Sequence, residues 1–144
     1  MKLLSLLMAL VCGVNGTVQA ANFDAQAVFG SPTGHDVDAA VKRGTKAKKV
    51  VLFTYDPKEG GSYPGSDITA FMELLDTKKL VKDNFIVVVL ERGHKDLDRY
   101  VSPGAKEKAY YALINSEGKT VKTEMVYRNP DVGLKTVKEW VAMP

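Results

Sequence analysis

Two runs of consecutive apolar residues constrain this chain more than any other feature: Val50-Val51-Leu52-Phe53-Thr54-Tyr55 and Phe85-Ile86-Val87-Val88-Val89-Leu90. β-Branched and aromatic residues at successive positions leave no polar face, so each run predicts a strand buried on both sides of a sheet. Between them Ile68, Phe71, Leu74 and Leu75 keep helical spacing behind a cap at Ser66 or Asp67, and Thr77 restarts a short helix carrying Leu80 and Val81. Two buried strands joined through helix make a parallel βαβ unit with a right-handed crossover.

The flanking segments extend this unit in both directions. His35-Asp36 opens a helix in which Val37, Ala40 and Val41 share one face, with Asp36 as its cap and Gly44 as its stop. Residues 21–35 mix apolar pairs with Gly and Pro and read as an extended lead-in. After the second strand, Leu97, Tyr100 and Val101 anchor a short helix before Pro103-Gly104. Ala109 to Ile114, the turn Asn115-Ser116-Glu117-Gly118 and Lys119 to Val126 form an antiparallel hairpin. Asn129-Pro130 then caps and starts a last helix, with Val132, Leu134, Val137, Trp140 and Val141 toward a core. The expected fold is α/β: a four-stranded mixed sheet, a parallel βαβ followed by an antiparallel ββα, with helices on both faces.

Residues 1–20 read as a secretory signal peptide. Lys2 supplies the positive start, Leu3 to Val14 the apolar stretch, and Val18-Gln19-Ala20 a small-x-small cleavage site. The stretch is short for a bilayer span, and no later segment qualifies as a transmembrane helix. Val11 before Cys12, where a lipoprotein needs a small residue, weighs against lipidation. The Asn15-Gly16-Thr17 sequon falls within the leader and carries no information. Cleavage near Ala20 sends the rest to a periplasm or to the medium. It also removes the single cysteine, so the mature chain can make neither a disulfide nor a thiolate.

Composition then excludes several classes. At 144 residues, 45% hydrophobic and 26% charged, with 12 Gly and 6 Pro, the chain suits one globular domain, over residues 36–144, and neither disorder nor collagen-like structure. Loss of Lys2 lowers the formal net charge from +3 to +2, too mild a balance to imply nucleic acid. Lysine clusters at 46–49, 78–82 and 106–108 suit a solvated surface better than a salt-sensitive polyanion or lipid contact.

Over residues 36–143 the order of elements, the VVLFTY and KDNFIVVVLE segments and a hairpin turning on NSEGK resemble the thioredoxin-like superfamily. The likeness is to exported or domain-embedded members in which the helix after the active-site loop ends in an x-N-x-x-F entry to the next strand, here Val81 to Phe85. The resemblance implies a thioredoxin-like fold and a peptide-binding groove. In that family a Cys-x-x-Cys pair opens the helix after the first central strand, where the helix terminus stabilises a thiolate. This chain has Gly60-Gly61-Ser62-Tyr63-Pro64-Gly65-Ser66 there, and an alcohol cannot replace a thiolate in disulfide exchange. The family's cis-proline would fall near Ala109, where a cis bond would cost about 3 kcal/mol, so a trans bond is expected. Thiol-disulfide activity is therefore not expected.

Residues 56–66, rich in Gly and Pro, must form a loop. It is neither a P-loop, since no Gly-Lys-Ser/Thr follows, nor a nucleophile elbow, since Pro64 follows Ser62 at the second position. It is either a remodelled connection or a receptor for an anion or an extended peptide. Tyr110 and Tyr111 point to opposite faces of their strand; both rings pack, or Tyr110 forms the aromatic rim of a groove with the loop. The expected function is a redox-inactive protein- or peptide-binding or accessory module, with Ser62, Tyr63, Pro64 and Tyr110 as the binding residues and no cofactor. The alternative is a metal-dependent or other non-thiol enzyme on the same scaffold. His35 with Asp36 and Asp38, and His94 with Asp96 and Asp98, have the chemistry of zinc or transition-metal half-sites, but Asp at an element boundary is ordinarily a cap. The sequence leaves the oligomeric state open.

Overall fold

The computed structural model describes residues 23–44, 48–56, 65–101 and 109–144. The runs that read as strands are strands: β1 is Lys49–Tyr55 and β2 is Phe85–Glu91, and they pair in parallel from Lys49 opposite Phe85 to Tyr55 opposite Glu91. β3 (Tyr110–Ile114) lies antiparallel on the other side of β1, and β4 (Thr120–Met125) antiparallel to β3. The sheet order is β2-β1-β3-β4, mixed and four-stranded.

Alternation along the central strands divides the interior in two. Val51 and Phe53 of β1, Val87 and Val89 of β2, and Tyr111 and Leu113 of β3 face a first cluster. It is closed by Phe29 of α1 (Ala25–Phe29), Ile68 and Phe71 of α3 (Ser66–Phe71), Val81 of α4 (Leu75–Asn84), and Val137 and Trp140 of α5 (Pro130–Ala142). Val50, Leu52, Val88, Leu90, Ala112 and Ile114 face a second, smaller cluster under Val37 and Ala40 of α2 (Val37–Arg43) and under Tyr100 and Val101. Those two residues follow a single 3₁₀ turn over Leu97–Arg99. Helices thus cover both faces. Trp140 centres the first cluster, with the rings of Phe53, Phe71, Phe85 and Tyr111 around it at centroid distances of 4.4–6.0 Å.

Several ends follow the local chemistry read from the sequence. Asp36 caps α2 by accepting from Ala39 N at 3.0 Å, and the Gly44 N–H closes it on Ala40 and Val41 carbonyls. Asn129 caps α5 through Asp131 N and Val132 N, with Pro130 at the first helical position. Asn115 Oδ1 accepts from Glu117 N and Lys119 N and so shapes the hairpin turn, which Gly118 completes with φ +79. No peptide bond among the described residues is cis.

Four readings need correction. The lead-in is not extended throughout, because Asp24 accepts from Ala27 N and Gly30 turns left-handed, bracketing a helical turn that buries Phe29 completely. Gly34 beyond it bridges to Val88 at the outer edge of β2. α3 is capped by Gly65 in the left-handed region rather than by Ser66 or Asp67, which lie in its first turn. Leu75 does not join the core: α3 ends at Phe71, and the chain restarts α4 at Leu75, two residues earlier than Thr77, with Leu75 itself 80% exposed. Val141 is likewise on the outer side of α5.

Candidate functional site

The carboxyl ends of β1 and β2 are where an open α/β sheet ordinarily presents its binding crevice. Equal seven-residue strands in parallel register bring Tyr55 opposite Glu91 there, and the Tyr55 hydroxyl donates to Glu91 Oε1 at 3.0 Å. Burial first, and this bond second, push the Tyr55 phenol up to about 12. Arg92 N donates to Tyr55 O, and Arg92 Nη1 then reaches across to Asp56 Oδ2 at 3.2 Å. The two residues that leave the strands are thereby tied together where the glycine- and proline-rich segment 56–66 begins, most of which lies outside the described residues. Arg92 is mostly buried, and among the described residues its Nη2 has no hydrogen-bond acceptor.

Phe23 closes this end from the first-cluster side. Its ring lies 5.0 Å from that of Tyr55 and directly over Gly65, where a β-carbon would overlap it. Gly65 is therefore required twice, for its left-handed φ of +76 and for the space that Phe23 fills. On the other side stands Thr54, buried at the end of β1, whose Oγ1 accepts from Tyr110 N at 3.0 Å. Tyr110 is thus fastened two residues before Asp56, where the 56–66 segment begins.

Of the residues singled out from sequence, Ser62, Tyr63 and Pro64 lie outside the described residues. Tyr110 is half-buried and packs against the second cluster, while Tyr111 is buried in the first. The two rings do point to opposite faces. Tyr111 donates to Glu124 Oε2 at 2.6 Å, and burial together with that bond raises its pKa. Among the described residues the Trp140 indole N–H meets no acceptor in hydrogen-bonding geometry, yet it lies close enough to the phenol to offset part of the rise.

The two histidines are occupied separately. His35 Nδ1 donates to Val89 O at 3.2 Å on the edge of β2. His94 Nδ1 accepts from Asp96 N at 3.2 Å inside the turn after β2, a bond that needs the ring neutral at that nitrogen. Asp36 is a cap, and Asp38 accepts from the Tyr100 hydroxyl and from Arg99, which together hold its carboxyl below the ordinary range. Among the described residues no group of three or more His, Cys, Asp or Glu side chains is gathered as a metal would need. A small cavity of about 190 Å³ lies at the opposite end of the sheet, between Lys49, Asn84, Phe85 and the 140–144 segment. Lys49 Nζ donates there to the Met143 carbonyl at 2.6 Å.

Sequence reading missed Phe23, Tyr55, Glu91 and the Arg92–Asp56 pair. The matched lengths of the two apolar runs were the available signal for Tyr55 and Glu91, since parallel strands of equal length end opposite one another. No family model, no curated protein and no solved structure matches this chain. No described helix is long and apolar enough to cross a membrane.

Proposed function

We propose that the chain is an exported thioredoxin-fold protein that performs no thiol chemistry and holds a protein or peptide partner. The partner lies between the 56–66 loop and the 106–110 segment, against Ser62, Tyr63, Pro64 and Tyr110. One observation carries the reading: the Thr54 hydroxyl fastens Tyr110 to the strand end from which that loop departs. Thr54 and Tyr110, which adjoin the two segments expected to flank a partner, are therefore held together.

Other features support it. The mixed sheet, with parallel β1 and β2 and the antiparallel hairpin beyond them, is the arrangement the thioredoxin resemblance implies. The one cysteine, Cys12, lies within the expected leader, so a mature chain offers no thiolate where the family places one. The Tyr55–Glu91 and Arg92–Asp56 pairs build a polar, preorganised floor at the strand ends, which suits main-chain recognition of an extended segment.

The reading is tested with the double variant Tyr63→Ala/Tyr110→Ala, checked for a native circular dichroism spectrum. Partners captured by the wild-type chain from its own compartment should be lost or weakened at least about tenfold, the scale of two aromatic anchors. Undiminished capture by the folded variant would reject the groove.

A further inference from the structure

We infer that β4 is a self-association edge: two copies of the chain pair antiparallel through β4, about a two-fold axis at Thr123, and extend the sheet to eight strands. The two outer edges of the sheet are treated differently. The β2 edge is closed by the chain's own lead-in, since Gly34 N donates to Val87 O, Val89 N to Gly34 O, and His35 Nδ1 to Val89 O. β4 has no strand beside it among the described residues, and Val121 on it is 47% exposed.

The hydrogen-bond phase of β4 decides which of its groups face outward. Val126 N donates to Ala109 O, which makes 109 and 126 a hydrogen-bonded pair. The register then makes Tyr111 with Glu124 and Leu113 with Lys122 the next such pairs, so even-numbered residues turn their backbone groups toward β3. The N–H and C=O of Thr123 and Met125 consequently point out of the sheet. The register passes from Leu113 opposite Lys122 to Ile114 opposite Thr120, so Val121 is the extra, bulged residue and the regular edge ends at Lys122.

Only registers that bring odd-numbered residues together satisfy those outward groups, and side-chain charge chooses among them. A two-fold at Lys122 sets lysine against lysine, and one at Glu124 sets glutamate against glutamate. A two-fold at Thr123 sets Lys122 against Glu124 of the second copy, twice. A lysine on an edge strand ordinarily discourages pairing. Here the glutamate two residues on cancels that repulsion in this one register. Lys122 and Glu124 already lie 3.5 Å apart on the α5 side of the strand, so pairing extends an existing row of alternating charge.

Sedimentation equilibrium on the mature chain, from about 10 µM to about 1 mM, tests this, the range covering the weak affinities a small edge contact supports. Wild type should show a reversible monomer–dimer equilibrium. Lys122→Glu and Glu124→Lys should each weaken it about tenfold or more, because each turns both charge pairs repulsive. An equimolar mixture of the two should regain the dimer, since each then meets its complement. Thr123→Pro, which removes an outward N–H and leaves the ladder to β3 intact, should abolish it. If Glu124→Lys loses its fold with the Tyr111 bond, Lys122→Glu and Thr123→Pro decide alone, and both must weaken the dimer. A wild type that stays monomeric throughout, or folded variants that associate as tightly as wild type, would overturn the inference and leave the edge to a strand of some other protein.

Discussion

Gly133 of α5 lies directly against the carbonyl of Phe71, the last residue of α3, with no room between them for a β-carbon. Two helices with large aromatics at their contact, Phe71 stacked on Trp140 at 5.8 Å, can approach this closely only where one has no side chain. Gly133→Ala should therefore destabilise, although alanine is the better helix former, by about 1–3 kcal/mol from overpacking. Urea unfolding would read this as a lower midpoint at unchanged slope. A gain in stability would mean that the helices part freely at this point.

Phe29 tests whether the lead-in belongs to the domain. Its side chain is fully buried and its ring lies 4.9 Å from that of Phe53 at the centre of β1. Phe29→Ala should cost about 3–5 kcal/mol, as deletion of a buried aromatic does. A loss below about 1 kcal/mol in thermal or urea unfolding would show that residues before 36 are an appendage.

Tyr55 gives stability a dependence on alkaline pH. Its folded pKa, pushed up to about 12 by burial and then by Glu91, lies above the ordinary 10.0. Between those values the unfolded chain binds fewer protons than the folded one, so stability is full below about pH 10 and falls as pH rises toward 12. Tyr55→Phe should remove this contribution, making the loss between pH 10 and 12 shallower by up to about one proton's worth of slope. Unfolding midpoints of both proteins across that range provide the check, and parallel curves would contradict it.

Much of this architecture was legible in the chain. β1 and β2 extend only one residue beyond the apolar runs, because a strand buried on both faces leaves an unbroken apolar signal. The caps at Asp36 and Asn129 were visible because their chemistry is local. Short helices were harder to see. α1 has five residues, and its burial of Phe29 depends on a strand more than twenty residues away. Leu75 fits the helical spacing of Phe71, but the chain breaks between them and turns it out to solvent. The site was less legible than the fold for the same reason: Arg92 and Asp56, or Phe23 and Gly65, meet only once the sheet has formed. Alternation did separate Tyr110 from Tyr111, and each packs on its own side.

Site-specific photo-crosslinking in the native compartment tests the central proposal most directly, with probes at 63 and 110 and a control at Lys138 on the exposed side of α5. A groove that holds a partner predicts the same adduct at 63 and 110, identified by mass spectrometry, and none at 138. Adducts equal at all three positions, or found only at 138, would contradict it.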